Sequence, residues 1–409
     1  MQASWRIGSI FGIPLYIDPS WLIILAIFTF ANQQDVQAIY PELGNLLPWG
    51  IGFLMAILLF GSVLLHELGH SLVARSQGIK VSSITLFIFG GIASIDRESS
   101  TPETAFQVAS AGPAVSLALF VLFTAIAYPL ANGSAAEFLV EDLARINLVL
   151  ALFNLIPGLP LDGGQILKAV VWKIKGDRFQ GVHWAATTGK FLGWAAIILG
   201  AISSAYNFGS LWIVLIGWFI LRNASAYDEI NHIQEILLQL TAADAMTRDF
   251  RVIDADMTLR QFADDYLLQT TDKEVYFAAS DGRYRGLVSV ENFRMVERSQ
   301  WEIQTVRSIV KPLDTINRVE EKTPLVQVIK RLESDRLTRI TVLSPAGAVS
   351  GIIDRGDIVR VMSQKLNVNI SETQIKRIKE EGVYPPGLPI AAIAETTLES
   401  LSDRTNSSL

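Results

Sequence analysis

The chain has 409 residues, half of them hydrophobic, with 34 basic and 40 acidic side chains, a net charge of −6, four histidines and no cysteine. The absence of cysteine excludes disulfides and thiolate metal sites, and a mildly acidic balance without a basic run of five argues against a nucleic-acid partner. Charge is spread unevenly: residues 1–225 carry 23 charged side chains and residues 226–409 carry 51, which predicts a membrane-embedded half followed by a soluble one.

Crossing about 30 Å of hydrocarbon takes about 20 mostly apolar residues. In chain order the candidates are Ile13 to Ala31, despite Asp18 and Pro19, then Ile51 to Ala74, Phe106 to Leu130, and a closing pair, Phe191 to Tyr206 and Leu211 to Ile220. Ile146 to Ile156 is apolar but short and is interrupted by Pro157, which at membrane depth suits only a helix packed in protein or lining a wet cavity. These give an all-α membrane core of about six transmembrane helices. The expected outer loops, 32–48, 131–145 and 205–210, hold Arg145 as their one basic residue, while the inner segments hold Arg6, Arg75, Lys80, Arg97, Lys168, Lys173, Lys175 and Arg178. That asymmetry predicts cytoplasmic N- and C-termini in a multi-pass protein, and the N-terminus does not read as a secretory signal.

Residues 80–96, KVSSITLFIFGGIASID, read as strand, with Gly90–Gly91 as a turn or bulge. The stretch is too apolar for a watery loop, so it predicts a small membrane-associated β-sheet. Its edge would suit an extended peptide adding on as another strand. A packed structural hairpin is the other reading, and the residues do not choose between them.

The chemistry lies in His66-Glu67-Leu68-Gly69-His70, inside the second span. Histidines at i and i+4 share a helix face and can bind one Zn²⁺, with the glutamate beside them as general base. Such groups within a hydrocarbon-length helix are costly unless paired, coordinated or facing a cavity. Catalytic zinc normally takes three protein ligands. His183 and His232 stand near or beyond the edge of the membrane half, whereas Asp162 follows the interrupted helix in NLIPGLPLDGG, residues 154–164. Asp162 is therefore the third candidate ligand, and it also reads as the N-cap of a helix over 163–174. Besides a zinc peptidase, the cluster is open to two other readings: a membrane metal or ion carrier, and a catalytically silent, nucleotide-sensing membrane protein.

HELGH in the second span, NLIPGLPLDGG after the fourth, AGP at Ala111–Pro113 and FGG at Phe89–Gly91 together resemble the site-2 protease family of intramembrane zinc metalloproteases over residues 1–225. The resemblance implies His66, His70 and Asp162 as zinc ligands and Glu67 as catalytic base. It implies Asn154 as a group that positions the scissile carbonyl or stabilises its oxyanion, and Phe89, Gly90 and Gly91 as a substrate-binding strand. The implied activity is hydrolysis of peptide bonds within or near a transmembrane segment of membrane-protein substrates in a lipid bilayer, as in regulated intramembrane proteolysis. It places the chain in a prokaryotic or organellar inner membrane. Asn154-Leu-Ile-Pro157 departs from the NPxP of many relatives, and no PDZ-like insertion is visible.

Residues 223–243 read as a helical linker after a membrane domain at 1–222. Residues 244–362 contain a repeat: Asp244 to about 298, and about Val306 to Met362. Each has an early helix, then a strand, a Gly turn, a strand and a closing helix. This soluble α/β tandem is similar to a pair of CBS domains, regulatory or dimerising modules that often bind adenine nucleotides. A homodimer through this pair is part of the same expectation. Gly351-Ile-Ile-Asp-Arg-Gly-Asp357-Ile358 resembles the family's closing signature, which implies Asp357 as a ribose contact; Asp357 also reads as a helix cap. The first repeat has Asn292 at the matching place. Residues 363–409 read as a weakly ordered tail.

Overall fold

The N-terminal residues form strands where the first span was expected to begin. β1 (Trp5–Ile10) and β2 (Ile13–Ile17) pair antiparallel, and only at Trp21 does the chain enter α1 (Trp21–Ile39). Asp18 marks the switch: its carboxylate accepts the Ser20 N–H at 2.9 Å, a local bond that competes with strand pairing. The computed structural model describes residues 4–88, 90–96, 98–130, 133–205, 211–268, 274–385 and 389–406. The chain divides into two units, one built chiefly of residues up to Asn231 and the other of His232–Leu401.

In the first unit α2 (Leu47–Ser76) carries the HELGH motif and is followed by β3 (Val81–Phe87) and β4 (Gly90–Ile95). The sheet order is β1-β2-β3-β4, with β2 and β3 parallel and β4 antiparallel to β3 at the edge. Gly90 and Gly91 pair with Phe87 and Leu86, so they open β4 and do not make the turn themselves. Phe89 lies outside the described residues. Next come α3 (Pro102–Ala127), α4 (Ala135–Asn154), α5 (Asp162–Lys175), α6 (Arg178–Ala205) and α7 (Leu211–Gln239). Thr101 accepts the Thr104 N–H at the start of α3 and Ser134 the Glu137 N–H at the start of α4, satisfying donors that each first turn leaves free.

Among the described residues four helices are long and apolar enough to cross a membrane: Ser20–Ile39, Leu47–Ser76, Pro102–Ala127 and Arg178–Ser204. Six were expected. The segment around Ile146 belongs to α4, which begins inside the expected loop 131–145 and bears Glu137, Glu141, Asp142 and Arg145. The last apolar stretch and the expected linker are one helix, α7, with no break between them. Large apolar side chains face outward on these helices, among them Val121, Phe191 and Leu199, each more than 60 % exposed; a surface of this kind suits lipid and not water. Inside, buried Asn147 of α4 donates to Ser62 Oγ of α2 at 3.0 Å and to Leu143 O at 2.8 Å, a polar tie between apolar helices.

The second unit repeats one motif twice. Its first half runs α8 (Ala242–Ala245), β5 (Arg251–Asp254), α9 (Leu259–Phe262), β6 (Tyr276–Ser280), β7 (Arg283–Val288), α10 (Val290–Met295) and β8 (Val310–Pro312). Its second half runs β9 (Arg318–Glu320), α11 (Leu325–Ser334), β10 (Arg339–Leu343), β11 (Val349–Asp354) and α12 (Arg355–Lys365). In both halves the first strand runs parallel to the second across a helix, and the second pairs antiparallel with the third. The repeat boundary is shifted from the expected one. β8 pairs with β7, so Val310–Pro312 completes the first sheet, and Thr247 of the first half exchanges two backbone hydrogen bonds of 2.9 Å with Ile352 of β11.

The tail expected to be weakly ordered contains α13 (Glu372–Glu381) and α14 (Ile390–Asn406). Ile378, Ile390 and Ile393 are buried in the same core as Leu325, Ile329 and Ile353. Ile375 with Ile378 on α13, and Ile390 with Ile393 on α14, stand three residues apart within polar sequence, and burying them orders a segment whose average composition is hydrophilic.

Candidate metal centre

The site forms where α2, α3 and the start of α5 converge. His66 and His70, one turn apart on α2, are both buried, and Asp162 is the first residue of α5, with Leu161 at the N-cap position. The loop before Asp162 is pinned to α6 by Leu159 N–H donating to Ala185 O at 3.1 Å. His66 Nε2 lies 3.0 Å and His70 Nε2 3.2 Å from Asp162 Oδ2, and the two Nε2 atoms are 3.3 Å apart. A tetrahedral zinc site with bonds of about 2.0–2.1 Å has edges of roughly 3.3 Å. The three donor atoms therefore already stand at the spacing of three corners, and two imidazoles with a carboxylate are a donor set zinc accepts.

The outer nitrogens are held as well. His70 Nδ1 donates to Val108 O at 2.7 Å and His66 Nδ1 meets Ser116 Oγ at 2.9 Å. A backbone carbonyl only accepts, so in the neutral ring Nδ1 of His70 keeps the proton and Nε2 turns its lone pair inward. Val108 and Ser116 lie on one face of α3 with Gly112 midway between them. A Cβ on Gly112 would overlap Nε2 of both histidines, so the missing side chain makes the room in which the three donors meet. Glu67 is half-buried on α2, and β4 passes so close to it that a Cβ on Gly91 would overlap its Cγ.

His66, His70 and Asp162 are thus brought together, Glu67 stands at their side, and Gly91 lies against Glu67. Asn154 ends α4, half-buried, and among the described contacts none joins it to the cluster. Ser116, Val108 and Gly112 escaped the sequence reading except as part of the AGP motif. A serine and a carbonyl on a neighbouring helix carry no pattern of their own, although the fourfold spacing to Gly112 was readable. A cavity of about 660 Å³ opens between the start of α1 and the sheet, lined by Asp18, Ser20, Ile23, Thr85, Phe87 and Ile92. In the other unit, Asp357 is the third residue of α12. Its carboxylate accepts the Asp354 N–H while Asp354 accepts that of Asp357, a reciprocal cap.

The family model of peptidase family M50 matches residues 54–137 and 130–196. A Synechocystis protein assigned by name to the zinc metalloproteases is 40 % identical over 365 residues, covering 88 % of this chain and 96 % of that one. The zinc metalloprotease MJ0392 of Methanocaldococcus jannaschii is 29 % identical, covering 89 % and 97 %. A solved site-2 protease from Methanocaldococcus jannaschii is 29 % identical over 55 % of this chain and 95 % of its own, with a TM-score of 0.41.

Proposed function

The chain belongs to peptidase family M50, the site-2 proteases, and we propose that this membrane metalloprotease hydrolyses peptide bonds within or beside a transmembrane segment of its substrates, using one zinc held by His66, His70 and Asp162. The observation that carries this reading is the convergence of those three donor atoms, all within 4.8 Å of one another, beside a glutamate and in a helix of hydrocarbon length. Zinc bound there supplies a Lewis acid that activates water and polarises the scissile carbonyl.

The chain's own residues do the rest. Glu67 takes the proton of the attacking water and returns it to the leaving amine. Asp162 and the two imidazoles hold the metal, with Val108 O and Ser116 Oγ orienting the rings. Asn154 is assigned to positioning the carbonyl. β4, at the sheet edge and against Glu67 through Gly91, offers unpaired backbone groups to an extended substrate strand. Gly90 and Gly91 leave that approach clear, and the Ile92 face opens on the cavity beside α1. A helix has its peptide bonds closed internally, so the substrate unwinds locally before cutting, which helix-weak residues near the cleavage point ease. In this reading both termini are cytoplasmic and the C-terminal repeat is a regulatory or dimerising CBS pair in which Asp357 contacts an adenine nucleotide.

Zinc content per purified chain after reconstitution and dialysis tests the site. About one zinc in the wild type, lost in His70→Ala and Asp162→Ala and kept in Glu67→Gln, is expected. Glu67→Gln should also lose turnover by a factor of about 10²–10⁴ on any membrane protein the wild type cleaves. A wild type without zinc, or a Glu67→Gln variant cutting at the wild-type rate, overturns the reading.

A further inference from the structure

The Asp357 carboxylate is already fully occupied from within the chain. Its side chain is 0 % exposed. Oδ2 accepts from the Asp354 N–H at 3.1 Å and from Thr247 Oγ1 at 3.3 Å, while Oδ1 accepts from Arg360 Nη1 at 3.2 Å and from Lys379 Nζ at 2.8 Å. Three of these partners sit on or beside α12 and β11. Lys379 comes from α13, a separate helix laid over the start of α12.

Lys379 is also the hub of that docking. Its ammonium reaches Asp249 Oδ2 at 3.1 Å and Asp354 Oδ2 at 3.7 Å in addition to Asp357, so one cation from α13 answers three carboxylates of the body it covers. Arg360 adds a second tie, to Glu372 in the first turn of α13 at 3.7 Å. Beneath the helix is Gly356, where a Cβ would overlap Lys379 Cγ and stand 3.1 Å from Ile375 O. The close fit of α13 therefore depends on a glycine one residue before Asp357. Ile375 and Ile378 anchor the helix, yet α13 is only 10 residues long, too short to be stable once its contacts are released.

We propose that α13 is an intramolecular latch: Lys379 holds the carboxylate oxygen that a ribose hydroxyl would need, so an adenine nucleotide reaches Asp357 only when α13 lifts away. This rests on the nucleotide reading of Asp357 given above and adds to it the chain's own competitor. A carboxylate accepts two hydroxyl hydrogen bonds when free, and here its lone pairs are spent on two cations and two neutral donors. Ligand and latch are mutually exclusive, so binding energy for one opposes the other, and nucleotide binding is coupled to release of the C-terminal helix.

The test uses the full chain in detergent micelles with ATP as probe, read by titration calorimetry and by hydrogen exchange over residues 372–381. Lys379→Met removes the cation, and Gly356→Ala crowds Lys379 Cγ, and Asp354 Oδ1 at 3.1 Å, to push α13 off while leaving the Asp357 side chain itself unchanged. Both should bind ATP at least about tenfold tighter than wild type. Adding Asp357→Asn to Lys379→Met should abolish that gain, while Lys379→Arg should behave as wild type. Saturating ATP should also speed exchange of the α13 amides in the wild type.

Wild type binding ATP as tightly as both variants, with α13 still protected, overturns the latch while leaving the nucleotide site standing. Absence of ATP binding in every variant, with α13 exchanging freely in Lys379→Met, overturns the nucleotide reading itself and the latch with it.

Discussion

Asp162 and Asp357 both stand in the first turn of a helix, where free backbone N–H groups favour a carboxylate, and the chain partners them in opposite ways. Asp357 is sealed, with an ammonium and a guanidinium at 2.8 and 3.2 Å. Asp162 keeps some exposure, about 20 % of its side chain, and faces two imidazoles whose other nitrogens are engaged by Ser116 and Val108. A buried carboxylate needs a positive partner. In the C-terminal unit the chain supplies that partner itself, whereas in the membrane unit it supplies donor atoms and a gap. The first arrangement stores a closed contact, and the second gathers three donor atoms within 4.8 Å of one another, a set that could hold a metal ion.

Removing each charge in place is the strongest way to break that contrast. Asp162→Asn should take zinc content from about one per chain to background by metal analysis. Asp357→Asn should leave zinc untouched while lowering the stability of the C-terminal unit by about 3 kcal/mol in denaturant unfolding, because Lys379 and Arg360 lose their buried counter-charge. If Asp357→Asn also lost zinc, the two aspartates would not have separate tasks. Gly112→Ala sharpens the comparison by keeping every ligand and filling the gap, and zinc affinity should fall about 100-fold. Unchanged affinity would mean that the space over the histidines is not where the metal sits.

Ser116→Ala should weaken zinc by about tenfold, with Ser116→Thr close to wild type and the visible spectrum of the cobalt-substituted alanine variant shifted. A third aspartate gives the smallest effect. Asp244 accepts the Thr241 N–H at 2.8 Å and its hydroxyl at 2.7 Å, and these bonds hold its carboxyl below the usual range. Asp244→Ala should cost about 0.5 kcal/mol at neutral pH, because the capping carboxylate is exposed and screened by solvent. The folded form has the lower pKa, so this contribution is present above the ordinary aspartate value near 4 and is lost as pH falls through the folded value. A stability difference between variant and wild type that survives at about pH 2 would contradict that assignment.

Much of the first unit was readable from the residues in hand. HELGH placed two histidines on one helix face because the helical period is fixed, and an apolar stretch as long as that from Ile51 to Leu65, inside the helix Leu47–Ser76, has few other folds open to it. The errors fell where short range competes with long range. Ile13–Ile17 is as apolar as any helix, and it becomes a strand because β1 and β3 are there to pair with it. Ile146–Ile156 reads as too short because the charged half of α4 has the composition of a loop, although Asn147 and Ser62 show how such a helix is tied in. The C-terminal helices hid behind average polarity, since Ile378, Ile390 and Ile393 matter only through the core they enter.

The sequence by itself determined the chemistry available: two imidazoles and a glutamate at fixed helical offsets, an aspartate after a Pro- and Gly-broken segment, and a repeat with a closing Asp. Those follow from local periodicity and residue type, which need no knowledge of distant partners. Only the tertiary structure decided that Gly112 opens the space over the histidines, that Ser116 and Val108 set the rings, and that Lys379, 22 residues beyond Asp357, closes over it. Each of these depends on which surfaces meet, and packing between elements leaves no mark on the spacing of residues within one.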